Sequence, residues 1–357
     1  VRPGEALHLA RFFGGLTIKE HFKPDLHVRP LVAELFLTDN CNLKCVSCGC
    51  WRSQTEQELT TEEWQDVLRQ LRGLGIQKVN FTGGEALIRR DAVDLLGYAN
   101  EVGFRSIHLN TNGIMLTERK REAVLAAGVR SFNVSIDGRG ALHDEIRGRK
   151  GAFDRTMRHL EGLVSETQGK AKIRMNFTVM RDNLHGLLDV IHLAQEKHVQ
   201  LYLNLASDQT FLFRHEEVEE QTQVDPEELN EVLGKVEEAM REDPRFLPRY
   251  SDMRYIPGHF SDIVQRDLPC AESQLKLMVH SRGEVGGCWG EDPTANVRET
   301  PIAAIVDSPT YREEHARFFV KDCVGCGSNY SLNLRWRPRT YLADALWRLR
   351  LRHLAKT

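Results

Sequence analysis

The sequence predicts an α/β fold: a partial (β/α)6 TIM-like barrel followed by a small, cysteine-bearing C-terminal region. Three observations predict it. Six short β-type runs between residues 32 and 206 alternate with helical patterns, as in a parallel sheet with right-handed crossovers. Six such units are too few for a closed eight-stranded barrel, so an open one is expected. The eight cysteines avoid the middle of the chain: four crowd at Cys41, Cys45, Cys48 and Cys50, and four lie late, at Cys270, Cys288, Cys323 and Cys326.

The expected strands are Val32–Thr38, Lys78–Thr82, Ser106–Asn110, Ser131–Asp137, Lys172–Met180 and Gln200–Ala206. Thr60 followed by Glu63 reads as a capping box opening a helix through Leu71. Asp91 opens a helix ending near Gly103, and Thr117 opens one ending at Gly128. Leu184–His198 carries apolar residues at helical spacing. The strands alternate strictly. One face carries Lys78, Asn80, Thr82, His108, Asn110, Asn133, Ser135, Asp137, Arg174, Asn176, Thr178, Tyr202 and Asn204, and the other is apolar. Parallel strands buried on both faces read as continuous apolar runs. These do not, so the apolar face is expected to pack on outer helices and the polar face to line a lumen.

The domain reading is a 1–31 extension, a 32–206 barrel, a 207–262 acidic helical insertion and linker, a 263–334 C-terminal domain and a 335–357 basic helix. Asp225-Pro226 marks a helix start in the insertion, which reads as solvated. The basic helix reads as docking on its own domain. A net charge of -3 gives nucleic acid no standing as a partner. No apolar run spans a bilayer, and Val1–Ala10 lacks a signal peptide's apolar stretch. A cytoplasmic chain is expected. In that reducing setting clustered cysteines point to metal or redox chemistry.

Cys41-Asn-Leu-Lys-Cys45-Val-Ser-Cys48 follows directly on the first strand. Soft thiolates at this spacing suit an iron–sulfur cluster or zinc. Structural zinc asks for four ligands, and three thiolates on a 4Fe–4S cluster leave one iron open. Cys50 reads as a small packed residue beside Trp51. The triplet, with Thr82-Gly83-Gly84-Glu85 at the end of the second strand, resembles the radical S-adenosylmethionine (SAM) superfamily. Ser47 departs from the aromatic residue that many members place before the last cysteine.

The resemblance implies that Cys41, Cys45 and Cys48 hold a 4Fe–4S cluster whose open iron binds SAM. It also implies SAM contacts from Gly83, Gly84, Glu85, Asn110, Asn112, Ser135 and Asp137, with Arg147 meeting the SAM carboxylate. SAM would be cleaved to a 5′-deoxyadenosyl radical, with a flavodoxin or ferredoxin as reductase. By spacing alone the late quartet fits zinc or a fully ligated cluster. Its pattern resembles a twitch domain, the shorter relative of the SPASM domain, as in 2-deoxy-scyllo-inosamine dehydrogenase-type enzymes. That implies an auxiliary 4Fe–4S cluster on Cys270, Cys288, Cys323 and Cys326.

The polar lumen, with His108, Arg174, Tyr202 and Asn204 as candidate substrate residues, suits a hydroxylated small molecule. The expected substrate is carbohydrate-like: a sugar, aminocyclitol or nucleoside, undergoing dehydrogenation, epimerisation or elimination. A peptide-modifying enzyme is the alternative, and 1–31 is short for the winged helix such enzymes often carry. A non-catalytic iron–sulfur or zinc module is the third reading.

Overall fold

The computed structural model describes residues 3–52, 56–207, 220–242, 250–261, 270–288, 292–319 and 346. Its centre is one sheet. Strands β1 (Val32–Phe36), β2 (Lys78–Thr82), β3 (Ser106–Thr111), β4 (Ser131–Ser135), β5 (Lys172–Val179) and β6 (Gln200–Leu205) run parallel, each beside its predecessor. The partial barrel expected from the alternation is present, with each strand within a residue or two of its expected bounds.

The helices of the barrel are α2 (Thr61–Gly73), α3 (Ala92–Glu101), α4 (Glu118–Ala126), α5 (Ala141–Ile146), α6 (Ala152–Thr167) and α7 (Leu187–Glu196). They cover the apolar strand face, where Val79, Phe81, Leu109, Phe132, Val134, Met175 and Phe177 are fully buried with Trp64, Leu68 and Leu160. The capping box at α2 is complete: Thr60 Oγ1 accepts from Glu63 N, and Glu63 accepts from Thr60 N. Asp91 opens α3 as expected, standing at its N-cap, and its side chain binds Arg89 and accepts from Thr61 Oγ1.

A seventh parallel strand was not foreseen. β7 (Lys276–Val279) pairs with β1 on the edge away from β2, Val32 opposite Lys276 and Glu34 opposite Met278. A hairpin then adds β8 (Glu284–Gly286) and β9 (Ala295–Asn296) antiparallel. Leu277 and Val279 enter the main core, and Lys276 turns to the lumen. Residues 276–286, placed in a separate C-terminal region from sequence, therefore extend the barrel sheet. The segment is four residues long, too short for its alternation to mark it as a barrel strand.

Helix α1 (Pro3–His21) lies in the 1–31 extension and packs Phe12 and Leu16 against Val28, Leu31, Val32 and Phe319. In the insertion, α8 (Pro226–Glu242) begins where Asp225-Pro226 predicted it, with Asp225 Oδ1 accepting from Glu227 N and Glu228 N. It is more than a solvated helix: Leu229, Val232, Leu233 and Val236 form a buried stripe joined to the main core. Beyond it come α9 (Tyr250–Ser261), α10 (Glu272–Leu275), α11 (Ile302–Asp307) and α12 (Pro309–Phe319). Cys323, Cys326 and, apart from Leu346, the expected 335–357 helix lie outside the described residues.

Candidate active site

The polar strand faces converge on a cavity of about 470 Å³, within the usual range of about 300–1,000 Å³ for ligand sites. Cys41, Cys45 and Cys48 line it at the C-terminal ends of the strands, where open α/β sheets bind ligands. Cys50 does not line it. That residue is buried in a short turn, where the Cys48–Cys50 hydrogen bond pulls the Cys48 thiol down and pushes the Cys50 thiol up.

The cysteine loop is clamped from two sides. Gly84 N donates to Thr38 O at 2.8 Å, and Glu85 N donates to Asn40 O at 2.9 Å. On the other side Val46 N donates to Ile146 O at 3.0 Å, and Arg149 Nη1 donates to Asn42 O at 3.3 Å. The two glycines serve this contact. A Cβ on Gly83, which has φ +130°, would lie 2.3 Å from Thr38 O. One on Gly84 would lie 2.2 Å from Asn40 O. Gly84→Ala must therefore push backbone off backbone. It is expected to cost about 3 kcal/mol or more of stability and to lower iron uptake, read by denaturant unfolding and metal analysis of the purified variant.

Glu85 is the third residue of that turn, and it stands elsewhere than its implied role. It does not line the cavity. Its buried carboxylate accepts from Leu87 N, Thr111 Oγ1 and Asn112 N, the last at 2.7 Å, tying the ends of β2 and β3 together. Burial raises its pKa against those donors. Gly83 and Gly84 do line the cavity, so the turn offers a ligand its backbone.

Asn112, Asp137 and Arg147 organise the thiols. Asn112 Nδ2 donates to Asn42 Oδ1 at 2.7 Å and lies 3.9 Å from Cys41 Sγ. Arg147 Nη1 lies 3.6 Å from Cys45 Sγ, while its Nη2 is ion-paired with the buried Asp137 carboxylate. Asp137 Oδ1 also accepts from Thr178 N at 2.8 Å. Burial pushes the Cys45 thiol up to about 12 against the pull of Arg147, so metal ligation there releases a proton.

The donor set fits an anionic iron–sulfur cluster: three thiols on one cavity wall, a guanidinium beside one of them, and a buried Arg147 Nε with no partner among the described residues. Among the described residues no three His, Cys, Asp or Glu side chains form a site for a single metal ion.

The lumen candidates His108, Arg174, Tyr202 and Asn204 all line the cavity, as do Asn110 and Ser135. His108 is committed to structure. Its Nδ1 and Nε2 bind Ser131 Oγ at 2.8 Å and Asn110 Oδ1 at 3.0 Å, which makes Nε2 the donor. Burial, then Lys78 and Arg174, press its pKa down to about 3, so it is neutral at physiological pH. Stability from such a histidine is present above its ordinary pKa of about 6.5 and is lost as pH falls toward the folded value. Unfolding free energy is therefore expected to drop by about 1.6 kcal/mol between pH 6.5 and 5 for His108 alone, the slope approaching about 1.4 kcal/mol per pH unit. Denaturant titrations at both pH values check this; His108→Gln should flatten the slope by that amount.

Glu34, Glu272 and Lys276 line the lumen without having been singled out. The signal for Glu34 was a carboxylate inside an apolar strand, in phase with Lys78 and Asn80. Lys276 and Glu272 gave none, because β7 itself was not legible.

The sequence model described as the Radical SAM superfamily matches residues 35–194. An Fe-coproporphyrin III synthase of Methanosarcina barkeri is 32% identical over 201 residues, 56% of this chain and 49% of that protein. A PqqA peptide cyclase of Bradyrhizobium diazoefficiens is 31% identical over 46% of this chain and 43% of its own length. The chain spans about half the length of the curated relatives it matches. Among solved structures, Streptococcus suis SuiB with its precursor peptide SuiA superposes with a TM-score of 0.66 over 95% of this chain and 79% of SuiB, at 17% identity. That likeness shows a shared fold. Residues 35–194, which match that model, carry the cysteine triplet and the Gly83-Gly84-Glu85 turn, so this segment is similar to the radical SAM superfamily.

Proposed function

We propose that this chain cleaves SAM reductively and abstracts a hydrogen atom from a small, polar, carbohydrate-like molecule held in its lumen. The supporting observation is that Cys41, Cys45 and Cys48 line the same cavity as the polar strand faces, at the C-terminal ends of the strands. Cys41, Cys45 and Cys48 would hold a 4Fe–4S cluster, which would supply the electron for reductive cleavage of SAM to a 5′-deoxyadenosyl radical. Arg147 compensates negative charge beside Cys45. Gly83 and Gly84 offer backbone to the ligand, and Ser135 a hydroxyl. Deeper in, Asn133, Asn176, Tyr202 and Asn204 present donors and acceptors suited to hydroxyl groups and costly to leave facing a hydrocarbon. His108, neutral and bonded at both nitrogens, orients Asn110 and is not a proton shuttle. A flavodoxin- or ferredoxin-like donor is the proposed reductase.

The proposal includes an auxiliary 4Fe–4S cluster on Cys270, Cys288, Cys323 and Cys326. Cys270 and Cys288 flank the segment containing β7 and β8, and the other two lie outside the described residues. Anaerobic reconstitution is expected to load about eight irons per chain; about four would remove this second cluster from the reading. A peptide substrate is the second reading, favoured by the PqqA peptide cyclase relative. A panel of deuterated sugars, aminocyclitols, nucleosides and peptides decides. Deuterium in 5′-deoxyadenosine is expected from the hydroxylated small molecules, and label from peptides alone would replace that substrate class. No described helix is long and apolar enough to cross a membrane.

A further inference from the structure

The floor of the cavity holds an uneven set of charges. Lys276 sits half-buried between two carboxylates, 3.4 Å from Glu34 and 2.5 Å from Glu272. Glu34 also accepts from Asn80 Nδ2 at 3.0 Å. Both acids are therefore engaged by one lysine. Lys78 lines the same floor and forms no hydrogen bond or ion pair among the described residues. Arg174, also on the floor, donates to the neutral Asn133 Oδ1 at 3.2 Å. Among the described residues, Lys276 thus engages both carboxylates and Lys78 has no ion-pair partner. Burial, then repulsion from Lys276, holds the Lys78 ammonium down to about 8, with Arg174 adding to the repulsion and Glu34 opposing it. A half-buried cation with no ion pair among the described residues is a costly arrangement, and a ligand anion relieves it.

We propose that Lys78, with Arg174 beside it, is an anion-binding subsite, and that the substrate carries a carboxylate or phosphate that docks there. This rests on reading the cavity as the substrate site. Geometry then orients the substrate. Lys78 and Thr82 begin and end β2, about 13 Å apart at ~3.3 Å per residue. The anionic group lies at the floor, and the carbon that loses hydrogen lies toward the thiols. His108 cannot compete for the anion, because it is neutral and bonded at both nitrogens.

The test is calorimetric titration of the full chain, with and without reconstituted cluster, using inorganic phosphate in one arm and acetate and glutarate in the other. Saturable binding is expected in at least one arm, and the arm that binds identifies the anion. Lys78→Met should weaken it roughly tenfold or more, and Lys78→Arg should restore it. Thermal melting shows whether each variant is folded. If Lys78→Met does not fold, Lys78→Gln and Lys78→Arg carry the comparison. Absence of anion binding in the native chain, or equal binding by a folded Lys78→Met or Lys78→Gln variant, overturns the proposal. The cluster-free titration reads the subsite without any SAM chemistry. Failure of SAM cleavage is thus a separate result from failure of this inference.

Discussion

Cys41→Ala, Cys45→Ala and Cys48→Ala are each expected to reduce SAM cleavage to background and to remove one cluster's iron, while Cys50→Ala keeps both. The first three thiols line the cavity and Cys50 does not, although only Gly49 separates it from Cys48. A cluster held by three protein ligands has no spare one. Loss of any of the three exposes it to solvent and dissociation, whereas Cys50 contributes a hydrogen bond to Cys48. Iron and sulfide analysis of the four variants, alongside 5′-deoxyadenosine formation, checks the pattern. Cys50→Ala losing iron as completely as Cys45→Ala would show that Cys50 is itself a ligand and that the cluster has no open iron.

Arg147→Met is expected to destabilise the folded chain by about 3–5 kcal/mol and to weaken cluster retention. Asp137 is buried, Arg147 is largely so, and the two pair with each other. Burial disfavours the guanidinium's charge, and Asp137 together with the Cys45 and Cys48 thiols more than offsets that. Removing the cation leaves a buried carboxylate whose remaining support is Thr178 N. It also takes away the donor beside Cys45. Asp137→Asn keeps the shape and loses the charge, so its folding cost should be smaller. Denaturant midpoints for the two variants, with the cluster's absorbance followed over time, separate folding from retention. Equal stability of Arg147→Met and the native chain would mean that the pair does not hold the loop.

The barrel was legible because two periodicities sat side by side. Period-two alternation in Ser131–Ser135 and Lys172–Val179 fixed which residues face the lumen, and helical spacing between them fixed the parallel order. The phase reading held for Lys78, Asn80, His108, Arg174, Tyr202 and Asn204, which all line the cavity. What the sequence hid was long-range. Nothing in Lys276–Val279 says that it pairs with Val32–Phe36 across more than two hundred residues. The Lys276–Glu34–Glu272 network exists only once that pairing forms. Motif reading placed Glu85 near the ligand, and its neighbours turned the carboxylate inward, to Thr111 and Asn112. The amphipathic stripe of α8 was present in the sequence but masked by its acidic residues, so burial of Leu229 and Val236 was not anticipated.

The most direct test of the central claim is incubation of the anaerobically reconstituted chain with SAM and a one-electron reductant. The account predicts 5′-deoxyadenosine and methionine, together with the spectrum of a reduced 4Fe–4S cluster that shifts on SAM addition. Stoichiometric zinc, an unshifted spectrum and no 5′-deoxyadenosine would contradict it and leave Cys41, Cys45 and Cys48 as ligands of a structural metal.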